Sequence, residues 1–355
     1  MANKQKKSQW ALRVLLLIVS SGFAFFCAEV GARIWILMQF HKEVAKYHDS
    51  PYQVVPESDL EYRLRPNLSR TVEKGRTRWS YTTNSKGFRG PEIDDDAKPG
   101  VRRILFLGDS VTFGYGLDDS HTLPLQFEQQ WNNRENAPFK LECVNRGIPG
   151  YNTIQEYWML KEQIDLLHPE LVILIYVAND AEPQATVPQR PKRLFRFVHS
   201  WFLEQAKTEL NELFLAEKPF FKSRKYTTDG SDMLTGFSAD SIKWRESKSA
   251  LFNIAELCRK KNVKFMLAMV PDVSHSLTDE YPFTTIHGTV MDWTREFGIP
   301  SVDLLPTVLG EDFKALEVPD DGHPNAEAHR RFARALLPHV EAALREGEQR
   351  RRNDL

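Results

Sequence analysis

From residue 101 onward, short apolar runs alternate with segments of helical spacing, and this alternation constrains the fold more than any other feature of the chain. The runs at 101–107, 141–145, 171–177, 263–270 and 299–303 have strand length, while 123–132, 153–167, 241–261, 284–297 and 326–345 place apolar residues three and four apart. Strand, helix and strand in succession bring the strands parallel, with helices over both faces of the sheet. The expected class is α/β, with a mostly parallel five-stranded sheet. In such an open sheet the loops leaving the C-terminal strand ends share one edge, and ligands bind along it.

Four polar segments fall on that edge. Gly108-Asp109-Ser110 follows the first strand, and Asn145-Arg146-Gly147-Ile148-Pro149-Gly150 closes the second. Asn179-Asp180 lies just past the third, and Asp320-Asp321-Gly322-His323 follows the fifth. A serine becomes a useful nucleophile only when a base takes its proton, and the base needs a carboxylate to fix its tautomer. Ser110, His323 and Asp320 supply these types, with Asp320 three positions before His323 so that it can fold back toward the ring. The backbone N–H groups of Ser110 and Gly147 and the side-chain amide of Asn179 can converge on a developing oxyanion. Gly147 is expected to keep side-chain bulk away from the acyl group.

Each residue also has an ordinary reading. Ser110 can be plain turn chemistry, Asn179-Asp180 a common loop pair and His323 a satisfied turn histidine. The conjunction of all four at strand ends favours the catalytic reading. Asp109, Asp180 and Asp321 are alternative carboxylates, but none has the spacing of Asp320 to His323. Asp109, Asn145 and Asp180 are therefore read as supporting residues behind the site, and Asp321 as structural. Asp272, after the fourth strand, is the strongest rival from outside the four segments, in a substrate contact. No HExxH pair, no CxxC and no histidine cluster at ligand spacing occurs, so no metal is expected. The segment 108–116 is glycine-rich but matches neither GxGxxG nor a P-loop, so no nucleotide cofactor is expected either.

The N-terminal part has a different character. Residues 14–28 carry no charge and are preceded by Lys4, Lys6, Lys7 and Arg13. Fifteen helical residues at ~1.5 Å each fall short of a ~30 Å hydrocarbon layer. Extension to Met38 gives 25 residues, with Glu29 and Arg33 placed to pair as i,i+4 neighbours. An uncleaved signal anchor with its basic end in the cytoplasm is favoured over a signal peptide cut near Val30-Gly31-Ala32, and over a buried soluble helix. Bulky Phe25 and Phe26 argue against lipidation of Cys27. The catalytic part then lies outside the cytoplasm, in the periplasm if the source has an outer membrane.

The expected organisation is an anchor at 1–40, a lead segment at 41–100 that packs on the core and has a strand near 78–83, a catalytic domain at 101–345, and a charged tail at 346–355. An insertion at 181–245 interrupts the βα rhythm. Within it, residues 189–203 combine four basic residues with Phe195, Phe197, Trp201 and Phe202, as a lid, a membrane-facing helix or simply a stretch packed on the parent domain. With 47 Lys and Arg against 48 Asp and Glu, the net charge of -1 offers no pull toward nucleic acid.

In these residues the sequence resembles the SGNH (GDSL-type) serine hydrolase superfamily. GDS stands at 108–110, NxGxxG at 145–150, ND at 179–180 and DxxH at 320–323. Tyr62 to Asn67 and Asn84 to Gly90 are similar to the lead segment of bacterial membrane-anchored members. The resemblance implies a flavodoxin-like sheet of order 2-1-3-4-5 and acyl-ester chemistry by Ser110, His323 and Asp320. An esterase acting on an O-acyl ester of a glycan or other envelope molecule is the leading expectation. The alternatives are an O-acyltransferase of exopolysaccharide using the same acyl-enzyme, and a non-catalytic envelope assembly or binding protein.

Overall fold

The computed structural model describes residues 2–45, 50–55, 58, 60–182 and 231–353. These belong to two units, and the first contributes helix α1 (Ala2–Ala45). Within α1, the 28-residue stretch Leu12–Gln39, with a mean hydropathy of 2.1 in its 18-residue window, is long and apolar enough to cross a membrane. Arg33 and Glu29 pair at 2.9 Å on this helix, as their spacing predicts. The stretch 189–203 singled out in the sequence lies outside the described residues.

The second unit begins at Pro51. Its first strands are β1 (Tyr52–Val55), β2 (Glu61–Leu64), β3 (Ser69–Lys74) and β4 (Thr77–Thr82), paired as two antiparallel hairpins. Sequence alternation predicts only β4, where Trp79 and Tyr81 are buried and their neighbours face out. Strand β3 escapes notice because it has no fully buried face, so its residues show no hydrophobic period.

The central sheet follows: β5 (Val101–Gly108), β6 (Lys140–Gly147), β7 (Leu171–Tyr176), β8 (Lys264–Met269) and β9 (Ser301–Asp303). All four pairings are parallel and the spatial order is β6-β5-β7-β8-β9. That is the expected 2-1-3-4-5 arrangement. Strand β7 (LVILIY) is buried at every position, which is why it reads as a continuous apolar run rather than an alternation.

Helices α2 (Ser110–Phe113), α3 (Leu123–Asn132), α4 (Thr153–Leu167), α5 (Ser231–Gly236), α6 (Ile242–Lys260), α7 (Thr284–Glu296) and α8 (Ala326–Asn353) complete the described unit. On one face α3 packs with α8, and on the other α4 packs with α6, giving three layers. Trp244 of α6 meets Trp293 of α7 edge to face at 6.1 Å. Asn152 starts α4 through a capping box with Gln155, which fixes the entry of the chain just after the second polar segment. Helix α8 continues to Asn353 through the charged tail, whose Glu, Gln and Arg residues are good helix formers.

Candidate active site

The register of the sheet assembles the site. Gly108 at the end of β5 lies opposite Gly147 on β6 and Ile175 on β7, so the three loops that follow leave from one level. Gly108 leads directly into α2, and a Cβ on it would stand 2.1 Å from Thr112 Oγ1. The chain can therefore turn at once from strand to helix only with glycine there. Asp109 caps that helix by accepting from Val111 N at 2.8 Å, and Ser110 occupies its first position.

His323 reaches Ser110 from the other end of the chain. Its Nε2 stands 2.8 Å from Ser110 Oγ, and its Nδ1 is hydrogen-bonded to Asp321 Oδ1. A carboxylate can only accept, so the proton of the neutral ring sits on Nδ1 and leaves Nε2 free to take one from the serine. The Tyr115 ring packs on the imidazole with centroids 5.0 Å apart. Asp321 is nearly buried, and although burial opposes its charge, hydrogen bonds from His323 and Lys74 pull its carboxyl down to about 2.

Here the sequence expectation is corrected. Asp320 does not face His323; it points outward, 57% exposed, and takes a two-pronged hydrogen bond from Arg76 at 2.8 and 2.9 Å. The cause is a turn across Val318-Pro319-Asp320-Asp321, closed by Asp321 N donating to Val318 O at 3.1 Å. Proline holds the second position, and Asp320 at the third has φ +62, the left-handed value a type II turn requires there. Asp321 is thereby turned inward beneath the ring. The Pro-Asp-Asp-Gly run was the available signal, since a proline at the second position of a turn fixes which residue follows in the left-handed region.

The expected oxyanion donors are all at this edge, and two have partners in the resting site. Gly147 N donates to Asn145 Oδ1 at 3.0 Å, while Asn145 Nδ2 donates to Thr112 O at 2.9 Å. Asn179 Nδ2 donates to Asp109 Oδ2 at 3.2 Å. Asp109 and Asn145 thus hold the two outer donors, and Asp180 fixes the turn before them by accepting from Val177 N at 2.8 Å. Glycine at 147 has a different cause from the expected one. A Cβ there would meet Phe113 N at 2.0 Å, so the side chain is excluded by the backbone of α2. Asp272, the rival from β8, closes its own loop instead, accepting from Ser274 N at 2.8 Å and Ser274 Oγ at 2.6 Å.

The sequence places the lead segment against the core, but sequence reasoning missed which of its residues reach the site. Arg89 is buried against the Phe113 ring at 4.3 Å, with its guanidinium donating to the carbonyls of Phe113 and Gly114 at 2.6 and 2.7 Å and to that of Leu117. It also pairs with Asp119 at 2.9 Å. Tyr81 packs edge-on against Phe113 at 5.2 Å, and Tyr62 Oη donates to Pro149 O at 2.8 Å. The back of α2 and of the second polar segment is therefore filled from residues 51–95. Among the described residues no cluster of three or more His, Cys, Asp or Glu side chains is arranged to hold a metal ion.

The sequence profile of the GDSL-like Lipase/Acylhydrolase family matches residues 106–331. No curated protein matches the chain in sequence. Among solved structures, the chain is similar to the psychrotrophic esterase EstA from Pseudoalteromonas sp., at 14% identity and TM-score 0.41, over 69% of this chain and 99% of that one. A GDSL-like lipase from Bacteroides thetaiotaomicron aligns at 17% identity and TM-score 0.40, over 71% and 93%. A member of the lipolytic protein G-D-S-L family from Veillonella parvula aligns at 14% and 0.39, over 67% and 97%.

Proposed function

The chain belongs to the GDSL-like lipase/acylhydrolase family, and on that premise we propose that Ser110 is the nucleophile of an acyl-ester hydrolase, His323 its general base and Asp321 the carboxylate that orients the base. One observation carries this reading: His323 bridges Ser110 Oγ at 2.8 Å and Asp321 through its two ring nitrogens. Ser110 Oγ attacks the ester carbonyl while Nε2 takes its proton, and Asp321 stabilises the imidazolium that forms. The imidazolium then protonates the departing alcohol. Water repeats the sequence on the acyl-enzyme and releases the acid.

The tetrahedral oxygen needs donors aimed at it. Ser110 N–H, Gly147 N–H and Asn179 Nδ2 are the candidates supported by position. The long 3.2 Å bond of Asn179 to Asp109 is the weaker of the two resting contacts, so the amide has a modest cost to exchange it for an oxyanion. Asp109 and Asn145 then keep the donors in place between turnovers, with Asp180 fixing the turn that carries Asn179.

The substrate proposed is an O-acyl ester of a glycan or similar envelope molecule outside the cytoplasm. The apolar span Leu12–Gln39 supports this location, acting as a signal anchor with the basic N-terminal side inward, or as a signal peptide if it is cut. Ser110→Ala is expected to abolish both turnover of p-nitrophenyl acetate and labelling by a fluorophosphonate. Undiminished labelling of that variant would overturn the nucleophile. Mass spectrometry of products from acetylated polysaccharides then tests the hydrolase reading: free acid supports it, and an acylated acceptor sugar in its place identifies a transferase.

A further inference from the structure

Lys74 stands at the end of β3, next to the hairpin turn Gly75-Arg76. Gly75 takes φ +58 at the first position of this two-residue turn, a value that glycine adopts at little cost. The tight turn delivers Lys74 onto the loop before His323, where its Nζ donates to Asp321 Oδ2 at 2.7 Å. The other oxygen of the same carboxylate takes the His323 Nδ1 bond. Lys74 Nζ also lies 5.3 Å from the centre of the Tyr115 ring, the ring that packs on the imidazole. Only a cavity of about 30 Å³ separates the hairpin from the 318–321 loop, room for about one water.

We propose that Lys74 is a positioning residue of the active site: it locks Asp321 from the side opposite His323 and, through that carboxylate, keeps the imidazole available as a base toward lower pH. The inference rests on the reading of Ser110, His323 and Asp321 as the reacting set. A carboxylate held on one oxygen can rotate about its Cβ–Cγ bond, whereas one held on both presents a fixed acceptor to Nδ1. The cation also offsets part of the negative charge that would otherwise draw a second proton onto the ring.

The other charges around the pair are engaged elsewhere: Asp109, which accepts from Ser110 Oγ at 3.2 Å, also accepts from Val111 N and Asn179, and on the loop beside Gly322 Asp272 pairs with His275 at 3.5 Å. Arg76 is occupied by Asp320 on the outside of the turn. On the side of α8 and the lead segment, Arg89 is paired with Asp119, and His329 is held uncharged, its ring pushed down to about 3 by burial and by the charges of Arg89 and His323. Ser110 and Tyr115 touch the ring directly, through the 2.8 Å contact of Oγ and the packed phenol ring. Lys74 itself is held more firmly protonated by its hydrogen bond to Asp321.

The test compares wild type with Lys74→Met, Lys74→Arg and Arg76→Met in the purified full chain in detergent. Inactivation by a fluorophosphonate is followed as a function of pH, which needs no natural substrate. In Lys74→Met the acid limb is expected to move to higher pH by about half a unit, the low end for a partly exposed charge, with a several-fold slower plateau. Lys74→Arg should restore the limb, and Arg76→Met should leave it in place. The downfield proton resonance of the His323–Asp321 bond should likewise appear at higher pH in Lys74→Met than in wild type. An unmoved limb and resonance in Lys74→Met overturn the Lys74 role while leaving the hydrolase reading intact. Absence of labelling in the wild type overturns that reading, and the Lys74 role with it.

Discussion

Asparagine at 320 and at 321 makes a sharp comparison, because the two positions are adjacent in sequence and opposite in environment. Asp321 accepts from His323 Nδ1 on one oxygen and from Lys74 at 2.7 Å on the other. An amide in its place can donate to the ring, which favours the tautomer with its proton on Nε2, the atom 2.8 Å from Ser110 Oγ. That tautomer cannot accept the serine proton, and in a serine triad this error costs about 10⁴ in kcat. Asp321→Asn is therefore expected to lower kcat on p-nitrophenyl acetate by about 10³–10⁴ with a much smaller change in KM. Asp320 is exposed, and among the described residues its carboxylate is bonded only to Arg76 at the surface. Asn tolerates its left-handed φ of +62, so Asp320→Asn should stay within about twofold of wild type. Initial rates with a thermal melt of each variant decide the matter. An Asp320→Asn variant that folds normally and loses as much activity as Asp321→Asn would refute the assignment.

Gly147→Ala should fail for a packing reason, since the added Cβ meets backbone atoms of α2 rather than a movable side chain; a loss of about 3 kcal/mol or more in denaturant unfolding is expected. Asn179→Ala should reduce kcat by about 10²–10³ with a small effect on KM, as removal of one oxyanion donor does. Glu156 is buried with neither carboxylate oxygen partnered among the described residues, and burial, followed by the charge of Asp109, raises its carboxyl well above the usual range. The folded chain thus holds this proton more tightly than the unfolded one, so this group's contribution to stability falls as pH rises above about 4.3; Glu156→Gln should gain melting temperature over wild type progressively as pH rises above that value. His329 has the opposite sense: the folded state resists its protonation, so stability drops as pH falls from about 6.5 toward 3, and His329→Leu should flatten that acid branch in melts at several pH values.

The sheet was legible because its strands are buried on both faces and punctuated by helices of clear period, so even the edge strand β9 is marked by its neighbours. The four polar segments were legible because strand ends are where an α/β sheet presents chemistry. Which of two adjacent aspartates meets the histidine was not read from spacing, since spacing counts residues along the chain while a turn decides which way each one points. Pro319 carried that information, but only a reading of turn geometry extracts it. Lys74 was invisible for a deeper reason. It lies 247 positions from Asp321, on a strand with no hydrophobic period, and nothing local distinguishes it from a solvated lysine.

The same distance along the chain bears on what the lead segment is. If residues 51–95 were a spacer between a membrane helix and a self-sufficient hydrolase, their contacts with the core would be peripheral and replaceable by water. Instead buried Arg89 donates to three carbonyls around the C-terminal side of α2, adding a charged donor to groups that also take Leu117 N at 3.1 Å on Gly114 O and Asn145 Nδ2 at 3.5 Å on Phe113 O. Arg103 at the start of the sheet is buried and donates to the carbonyls of Asp94 and Asp95 at 2.7 and 2.6 Å, tying the end of the lead segment to β5. Lys74 and Arg76 each take one of the two aspartates before His323. The segment therefore reaches the nucleophile from behind and the base from beside it, through charged side chains whose partners lie in the core. A core cut free at residue 101 would keep Ser110 and His323 in its sequence while losing the groups that hold the nucleophile turn and the Asp321 carboxylate in place.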